Sequence, residues 1–492
     1  MRRSPSLLAN KKSCLLIIGA IFIISRVLYW WRGVRFDSGS LDSWWIIDPT
    51  LLRDRPWQSL FYLRTQLPGL NVYIALIMHL FPRHSTAAFH ATYVGLGLML
   101  AICLFLLLDR LRVNRILAVF ITVVAVMSPV TVLYENWLSY EYPLAVLFCI
   151  SALFLHRYAS SHDGFDGVVL FTSLALIGLF RVIYHFLWFA LIVAVLAYAL
   201  PRFQRRTALC AAAPGALLLV IYLRTVILFG VWAPGSDTYG AINFAFLTSL
   251  SVPRDVLVSM SVKREISPIL LHGFRFEDAA LVDVVPIPPK TGIPILDERL
   301  KSTGINRINM DSLWMAEVGR QLRRDGFAIL RSHPTATLRT IRRNIINYFL
   351  PADVGWPFGS ESEHPNQLVL APLLKPFNLI ISGKPTRHNY ALISYAGNLC
   401  VLWFGLWRSA RWLKRVVRRR QVNPRDLTIA FAFGNIAYLS AVVIFYDFTD
   451  QNRILFELFP LFAVLLGMLL TLVMRRFRLS RLDSVAREAE SL

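Results

Sequence analysis

The chain has 492 residues, of which 56% are hydrophobic and only 17% charged, yet it carries 52 Lys and Arg against 30 Asp and Glu, a formal net charge of +22. A soluble domain averages roughly 45–50% apolar and about 25% charged residues, so this balance excludes most soluble classes; the 13% aromatic content and long apolar runs exclude a disordered basic protein. Nucleic-acid binders show basic patches on a polar surface, whereas here the basic clusters stand between apolar runs, so the partner expected is membrane lipid and no nucleic acid.

A helix that crosses a bilayer needs about 20 mostly apolar residues. Ten candidate spans follow in order, at approximately 14–31, 87–108, 116–133, 143–156, 167–181, 183–200, 207–230, 389–407, 427–446 and 454–474. The fold class expected is therefore an all-α polytopic membrane protein with about ten transmembrane helices. The first run ends in Arg26, aromatic residues and Arg32 with no small-residue cleavage site, which reads as a retained span. A loop over 32–86 follows it and contains an apolar run, Leu67 to Pro82. Counting that run as a span would send every later basic loop to the other side, so it is expected as a helix lying at the membrane surface.

Basic residues in short loops mark the cytoplasmic side. With a cytoplasmic N-terminus, alternation puts Arg110, Arg112 and Arg115 inside, together with Arg202, Arg205 and Arg206, the run from Arg408 to Arg420, and Arg475 to Arg481. Both termini are then cytoplasmic. The domains expected are an N-terminal membrane module over 1–230, an extracytoplasmic segment over 231–388, further membrane helices over 389–474 and a basic tail over 475–492. Within 334–350, Leu338, Ile341, Ile345 and Phe349 share one face while Arg339, Arg342 and Arg343 lie on others, the pattern of an interfacial amphipathic helix. Cys14, Cys103, Cys149, Cys210 and Cys400 all sit in apolar runs without paired spacing, so neither disulfides nor a metal site is expected.

Ionisable groups beside the hydrocarbon layer are costly, which makes the outward ones informative. The first loop supplies Asp37, Asp42, Asp48 and Asp54 among Trp44, Trp45 and Trp57; one such carboxylate could serve as a general base, or all could be solvated members of an aromatic belt. The second loop reads Tyr134-Glu135-Asn136-Trp137-Leu138-Ser139-Tyr140-Glu141-Tyr142-Pro143, a mixture of carboxylates, amide and rings suited to a polyhydroxylated ligand, or a plain turn capped by Pro143. Arg181 with His185, and Arg453 in the stretch from Asp450, are candidates for holding a phosphate by charge-assisted hydrogen bonds, with Arg339, Arg342 and Arg343 as a second cluster. For each arginine the plainer alternative is a snorkelling anchor or a solvated face.

Taken together, these features resemble the GT-C superfamily of membrane glycosyltransferases, and most nearly its protein-O-mannosyltransferase-like and lipid A sugar-transferase group. The likeness is carried by Ile47-Asp-Pro-Thr-Leu-Leu52, by Ser59 to Asn71, by Leu133-Tyr-Glu-Asn-Trp137 with Tyr140-Glu-Tyr-Pro143, and by Asn452-Arg453 through Pro460. It covers roughly 14–200 and 427–474. Pro68-Gly69 stands where the group has Pro-Pro, and the acidic pair usual after the first span is spread over Asp37, Asp42 and Asp48. Alignment favours Asp48 as the base, and proximity to the first span favours Asp37 or Asp42.

The resemblance implies inverting transfer of a sugar from a polyprenyl-phosphate donor to an extracytoplasmic glycan, lipid or protein acceptor, in a bacterial inner membrane and with no cofactor or metal. Asp48 or Asp42 would be the base, and Arg453 and Arg181 would hold the donor phosphate with His185, Arg342 and Arg343. Glu135, Asn136, Tyr140 and Glu141 would face the acceptor or sugar. Two other classes fit the same residues: a transporter or flippase of a lipid-linked sugar, and an inactive cell-envelope scaffold.

Overall fold

A computed structural model describes residues 10–273, 284–302, 308–348, 358, 364–382, 392–418, 423–446 and 451–490. Among them the chain is all-helical, with two isolated β-bridges, Asp37 with Trp137 and Leu300 with Ile308. Phe349, Asp450, Arg419 and Arg420 lie outside the described residues.

The opening helix, Lys11–Trp31, shows how the sequence makes a span. Asn10 caps it by accepting the Lys12 N–H at 3.0 Å. It buries a stripe of Cys14, Ile18, Phe22 and Ser25, while Leu16, Ile23 and Trp31 stay exposed. A helix apolar on its outer face as well as its inner one satisfies its backbone internally and suits lipid.

Among the described residues six helices are long and apolar enough to cross a membrane: Lys11–Trp31, Ser85–Arg110, Glu141–Ser161, Pro201–Phe229, Pro424–Tyr446 and Arg453–Phe477. Counting two bent pairs as one span each raises the number to eight, against the ten expected. The difference has local causes. The run expected at 116–133 is broken by 54° between Arg115–Met127 and Pro129–Glu135. Ser128 caps the second piece by accepting the Thr131 N–H at 3.1 Å, and Pro129 fits its first turn because no N–H is needed there. Gly164–Phe180 and Phe186–Ala199 have 17 and 14 residues, about 26 and 21 Å of helix, short of the ~30 Å hydrocarbon layer. In Leu392–Val417 the second half carries Arg408, Arg411, Lys414 and Arg415, which shortens its apolar part.

Gly69–Leu80 is a separate helix of 12 residues, too short to span. One face of it packs on the bundle, where Leu70, Ile74 and Ile77 are buried and Gly69 approaches the Leu179 carbonyl so closely that a Cβ would sit 2.7 Å from it, while Val72, Leu76 and Leu80 on the other face are exposed. The basic loops gather at one end of the bundle. Asp109 there bonds Arg115 at 3.0 Å and faces Lys11 at 3.9 Å, and Asp426 pairs with both Arg408 and Arg415.

Beyond the bundle a second core forms around Ile242, Ala245, Met260, Ile269, Trp314, Met315, Val318 and Leu322. The helices Tyr239–Ser249 and Leu313–Ser332 pack closely there, with Gly319 admitting the Asp237 backbone. The helix Pro334–Tyr348 follows. It turns Thr337, Thr340, Asn344 and Tyr348 inward and leaves Leu338, Ile345 and Ile346 exposed.

Arg64 joins this unit to the first loop. It is 1% exposed. Its guanidinium donates to Asp237 Oδ2 at 2.5 Å, to Thr238 Oγ1 at 2.8 Å and to the carbonyls of Met310, Asp311 and Ser312. Its backbone N–H, with the Thr65 N–H and hydroxyl, bonds Asp311 Oδ1 at 2.7–3.0 Å. Removing one partner of such a network strands the others in a site without water. Arg64→Met is expected to cost about 3–5 kcal/mol, read as a fall in thermal unfolding temperature of the detergent-purified protein; an unchanged temperature would show the network to be dispensable.

Candidate functional site

Where the bundle meets the second core lies a cavity of about 370 Å³. Trp44 and Trp45 reach it from the first loop, Thr65 and Gln66 from the stretch after Arg64, and Tyr140 from the start of Glu141–Ser161. Arg181 and His185 come from the break between two short helices, and Arg453 from the helix Gln451–Leu455. Tyr239 and Asn243 line it from the second core, and Val442, Val443 and Tyr446 from the end of Pro424–Tyr446. Tyr140, Arg181, His185 and Arg453 are thereby brought together from positions far apart in the sequence.

The break that presents Arg181 follows from its sequence. Gly164–Phe180 ends with Arg181 in extended backbone, and His185 restarts the helix by accepting the Leu187 N–H at Nδ1, 3.2 Å away. His185 thus reaches the cavity while serving as a cap, with its ring 4.5 Å from that of Tyr222.

Each arginine is backed by a wholly buried carboxylate. Arg181 pairs with Glu457, whose other oxygen accepts from Tyr184 at 2.7 Å. Arg453 Nε lies 3.4 Å from Glu141 Oε1. The Arg181 guanidinium also stands 4.9 Å from the centre of the Tyr140 ring, and that of Arg453 stands 5.7 Å from Trp45. A guanidinium has five donors in a fixed planar fork, so one such group can face more than one acceptor at once. The wall opposite is aromatic: Trp44 meets Tyr239 edge-on at 5.8 Å, and the Tyr239 hydroxyl donates to the Trp44 carbonyl at 3.1 Å. Among the described residues no carboxylate lines the cavity.

The remaining sequence candidates are distributed differently. Asp48 stands outside the cavity lining as the cap of Pro49–Asp54; Oδ1 accepts the Thr50 N–H at 2.9 Å and the Ser302 hydroxyl at 3.0 Å, while Oδ2 accepts the Ser302 N–H at 2.5 Å. Asp42 ends the short turn Gly39–Asp42, half-buried and two residues before Trp44. Asp37 bonds His364 Nε2 at 3.0 Å and the Gly39 N–H at 2.7 Å. Burial pushes the Asp37 carboxyl up, and the His364 and Gly39 bonds outweigh it, leaving the group below its ordinary value.

Glu135 and Asn136, expected at an acceptor, do not reach this cavity. Glu135 is held bidentately by Arg26 at 2.8 and 2.5 Å and by the Tyr142 hydroxyl at 2.7 Å, so its charge is spent on an ion pair within the bundle. Asn136 Nδ2 donates to the Val132 carbonyl at 2.9 Å. Both line a smaller cavity of about 180 Å³ with His90. Glu141, expected at the sugar, instead supports Arg453 from behind. Arg339, Arg342 and Arg343 are exposed and absent from the lining, because the helix Pro334–Tyr348 turns its threonines and Asn344 inward.

Sequence reasoning passed over Glu457, although a lone carboxylate in the apolar run 454–474 signals a buried partner. It also passed over Tyr239 and Asn243, which carry no local signal, and gave no site role to Gln66, although that residue lies in the quoted stretch from Ser59 to Asn71. Among the described residues no group of three or more His, Cys, Asp or Glu could hold a metal ion.

No family model matches the sequence, and no curated protein does. Two solved structures align with most of the chain. One is the Archaeoglobus fulgidus oligosaccharyltransferase tethered with an acceptor peptide, at 14% identity and a TM-score of 0.43, covering 95% of this chain and 50% of that one. The other is ArnT from Cupriavidus metallidurans bound to undecaprenyl phosphate, at 12% identity and a TM-score of 0.30, covering 92% and 77%. The chain spans about half the length of the oligosaccharyltransferase.

Lys301 secures the loop that carries Trp44 and Trp45, donating to the Ser43 carbonyl. Burial pulls its pKa down to about 8, against the opposing pull of Asp48, Asp311 and Asp42. A lysine depressed on folding binds fewer protons folded than unfolded between the two values, so stability rises with pH there. Unfolding free energy is expected to climb between pH 8 and about 10.4 in the wild type and to climb less in Lys301→Met; equal slopes in a pH series of denaturation curves would contradict the assignment.

Proposed function

We propose that the chain is an integral-membrane glycosyltransferase of the GT-C type, transferring a sugar from a polyprenyl monophosphate to an acceptor hydroxyl or amine on the outward face with inversion. The observation that carries this reading is the pair Arg181 and Arg453 in one aromatic cavity at the membrane boundary, each backed by a buried glutamate. The resemblance drawn from the sequence supports it.

In this reading the donor phosphate lies against the two guanidiniums. The bond from the anomeric carbon to the phosphate oxygen breaks with its electron pair passing to that oxygen. The group leaves as an anion, so stabilising the charge matters more than protonating it. Trp44, Trp45, Tyr140 and Tyr239 offer ring faces to the sugar, and Val182, Ile183, Val442 and Val443 give the polyprenyl chain an apolar exit. As the acceptor oxygen bonds to the anomeric carbon its proton passes to Asp42, which, like Asp37 and Asp48, does not itself line the cavity but sits two residues before Trp44, which does. Asp42 is preferred to Asp48, whose oxygens already accept three hydrogen bonds, and to Asp37, which is committed to His364 and Gly39. Asp48, with Ser302 and Lys301, positions the loop.

The test is release of polyprenyl phosphate from a radiolabelled polyprenyl-phosphate sugar by the purified protein. Asp42→Asn is expected to lower kcat about 10²–10⁴-fold, and Arg453→Lys, which keeps the charge but loses the fork, about ten- to hundredfold. Full activity in Asp42→Asn would reject it as the base. Movement of intact donor across a vesicle membrane without release would replace the reading with transport.

A further inference from the structure

The other end of the molecule carries a site of its own. Two adjoining cavities, about 180 and 240 Å³, share Thr471 and Arg475. Arg112 and Asn114 complete the first, and Arg408, Arg425 and Arg476 line the second. The residues come from four places: the turn after Ser85–Arg110, the helix Leu392–Val417, the start of Pro424–Tyr446 and the last long helix. Arg425 is about 26 Å from Val442 along one helix at 1.5 Å per residue, so these cavities and the candidate active site lie at opposite ends of the bundle.

Three observations separate this cluster from a merely basic loop. First, its charge is only partly compensated: among the described residues the one carboxylate in an ion pair with any of the five arginines is Asp426, which Arg408 shares with Arg415. Second, Arg425 Nε is buried and has no acceptor among the described residues, and a buried guanidinium donor left unpaired is costly. Third, the second cavity is amphiphilic. Phe404, Met468 and Leu472 form the wall toward the bundle, and Trp403, Leu406 and Val473 beside it are exposed. Arg112, the first residue of the turn to pass Leu111, is held at φ 57°, a left-handed conformation rarely used by a residue with a side chain.

We propose that these joined cavities bind the phosphodiester headgroup of an anionic membrane phospholipid, with the arginines around the phosphate and the acyl chains along Phe404, Met468 and Leu472. A soluble phosphate would satisfy the guanidiniums equally well; the apolar wall is what selects a lipid. This assignment stands apart from the glycosyltransferase reading, because no residue of the cluster lines the cavity that reading uses.

The experiment is native mass spectrometry of the detergent-purified full chain titrated with phosphatidylglycerol, with phosphatidylcholine, and with phosphatidylglycerol plus excess inorganic phosphate. Wild type is expected to prefer phosphatidylglycerol, and inorganic phosphate at matched ionic strength to leave that binding in place. Arg425→Gln with Arg475→Gln is expected to bind it about thirtyfold more weakly, while Arg425→Lys with Arg475→Lys keeps most of the affinity and Arg331→Gln, an exposed arginine on the outward helix Leu313–Ser332, keeps all of it. Equal binding of the two lipids by wild type would overturn the proposal without any variant. An effect of Arg331→Gln as large as that of the double variant would reduce it to general surface charge, and displacement by inorganic phosphate would identify a free-anion site instead.

Discussion

Arg64 is withdrawn almost wholly from water, and a cation in that position is tolerated only when every donor finds an acceptor. Its partners come from two stretches, 237–238 and 310–312, that belong to the second core, while its own backbone belongs to the first loop. The two segments therefore cannot separate without stranding a buried charge. Thr65 and Gln66, next in the chain, form one side of the cavity, and Gly235, at φ 69°, comes against the Thr65 carbonyl from the other. The cavity is thus a seam between two segments that the arginine clamps shut.

The charges inside that seam are arranged in depth. Two guanidiniums line the cavity, and the glutamate paired with each is wholly buried. Pairing each cation with a buried anion lowers the cost of keeping arginines at an apolar, aromatic site and holds their planar forks in place. Moving the acids to the front would repel a phosphate; removing them would leave the arginines free to swing toward water.

Much of the membrane part was legible because a period-free apolar run of about 20 residues admits few structures. Arg181, His185, Tyr140 and Arg453 were legible for a related reason: polar groups beside such runs demand an explanation. The placements that could not be read from sequence have a common source. Glu135 and Glu141 sit in one aromatic-acidic loop and look alike in sequence, yet one pairs with Arg26 inside the bundle and the other with Arg453 at the cavity. Which arginine a carboxylate meets depends on helix rotation and packing. Likewise Asp48 looked available until Ser302, more than 250 residues on, filled its oxygens. The break at Ser128-Pro129 was readable from capping chemistry alone.

The helix Pro334–Tyr348 has its polarity reversed relative to an amphipathic helix on a soluble protein. Asn344 donates to the Ile444 carbonyl at 3.1 Å, Tyr348 bonds Ser440 at 2.5 Å, and Leu338, Ile345 and Ile346 point away. An outward apolar face with arginines at its flanks finds its lowest energy where acyl chains give way to headgroups. Those inward bonds fall on residues 440–444, the same turn that supplies Val442 and Val443 to the cavity. On the glycosyltransferase reading proposed above, the helix would act as a waterline. Seated where acyl chains give way to headgroups, it would set the height of the cavity, so that a substrate with a lipid tail and a polar head would meet the arginines without being lifted out of the membrane.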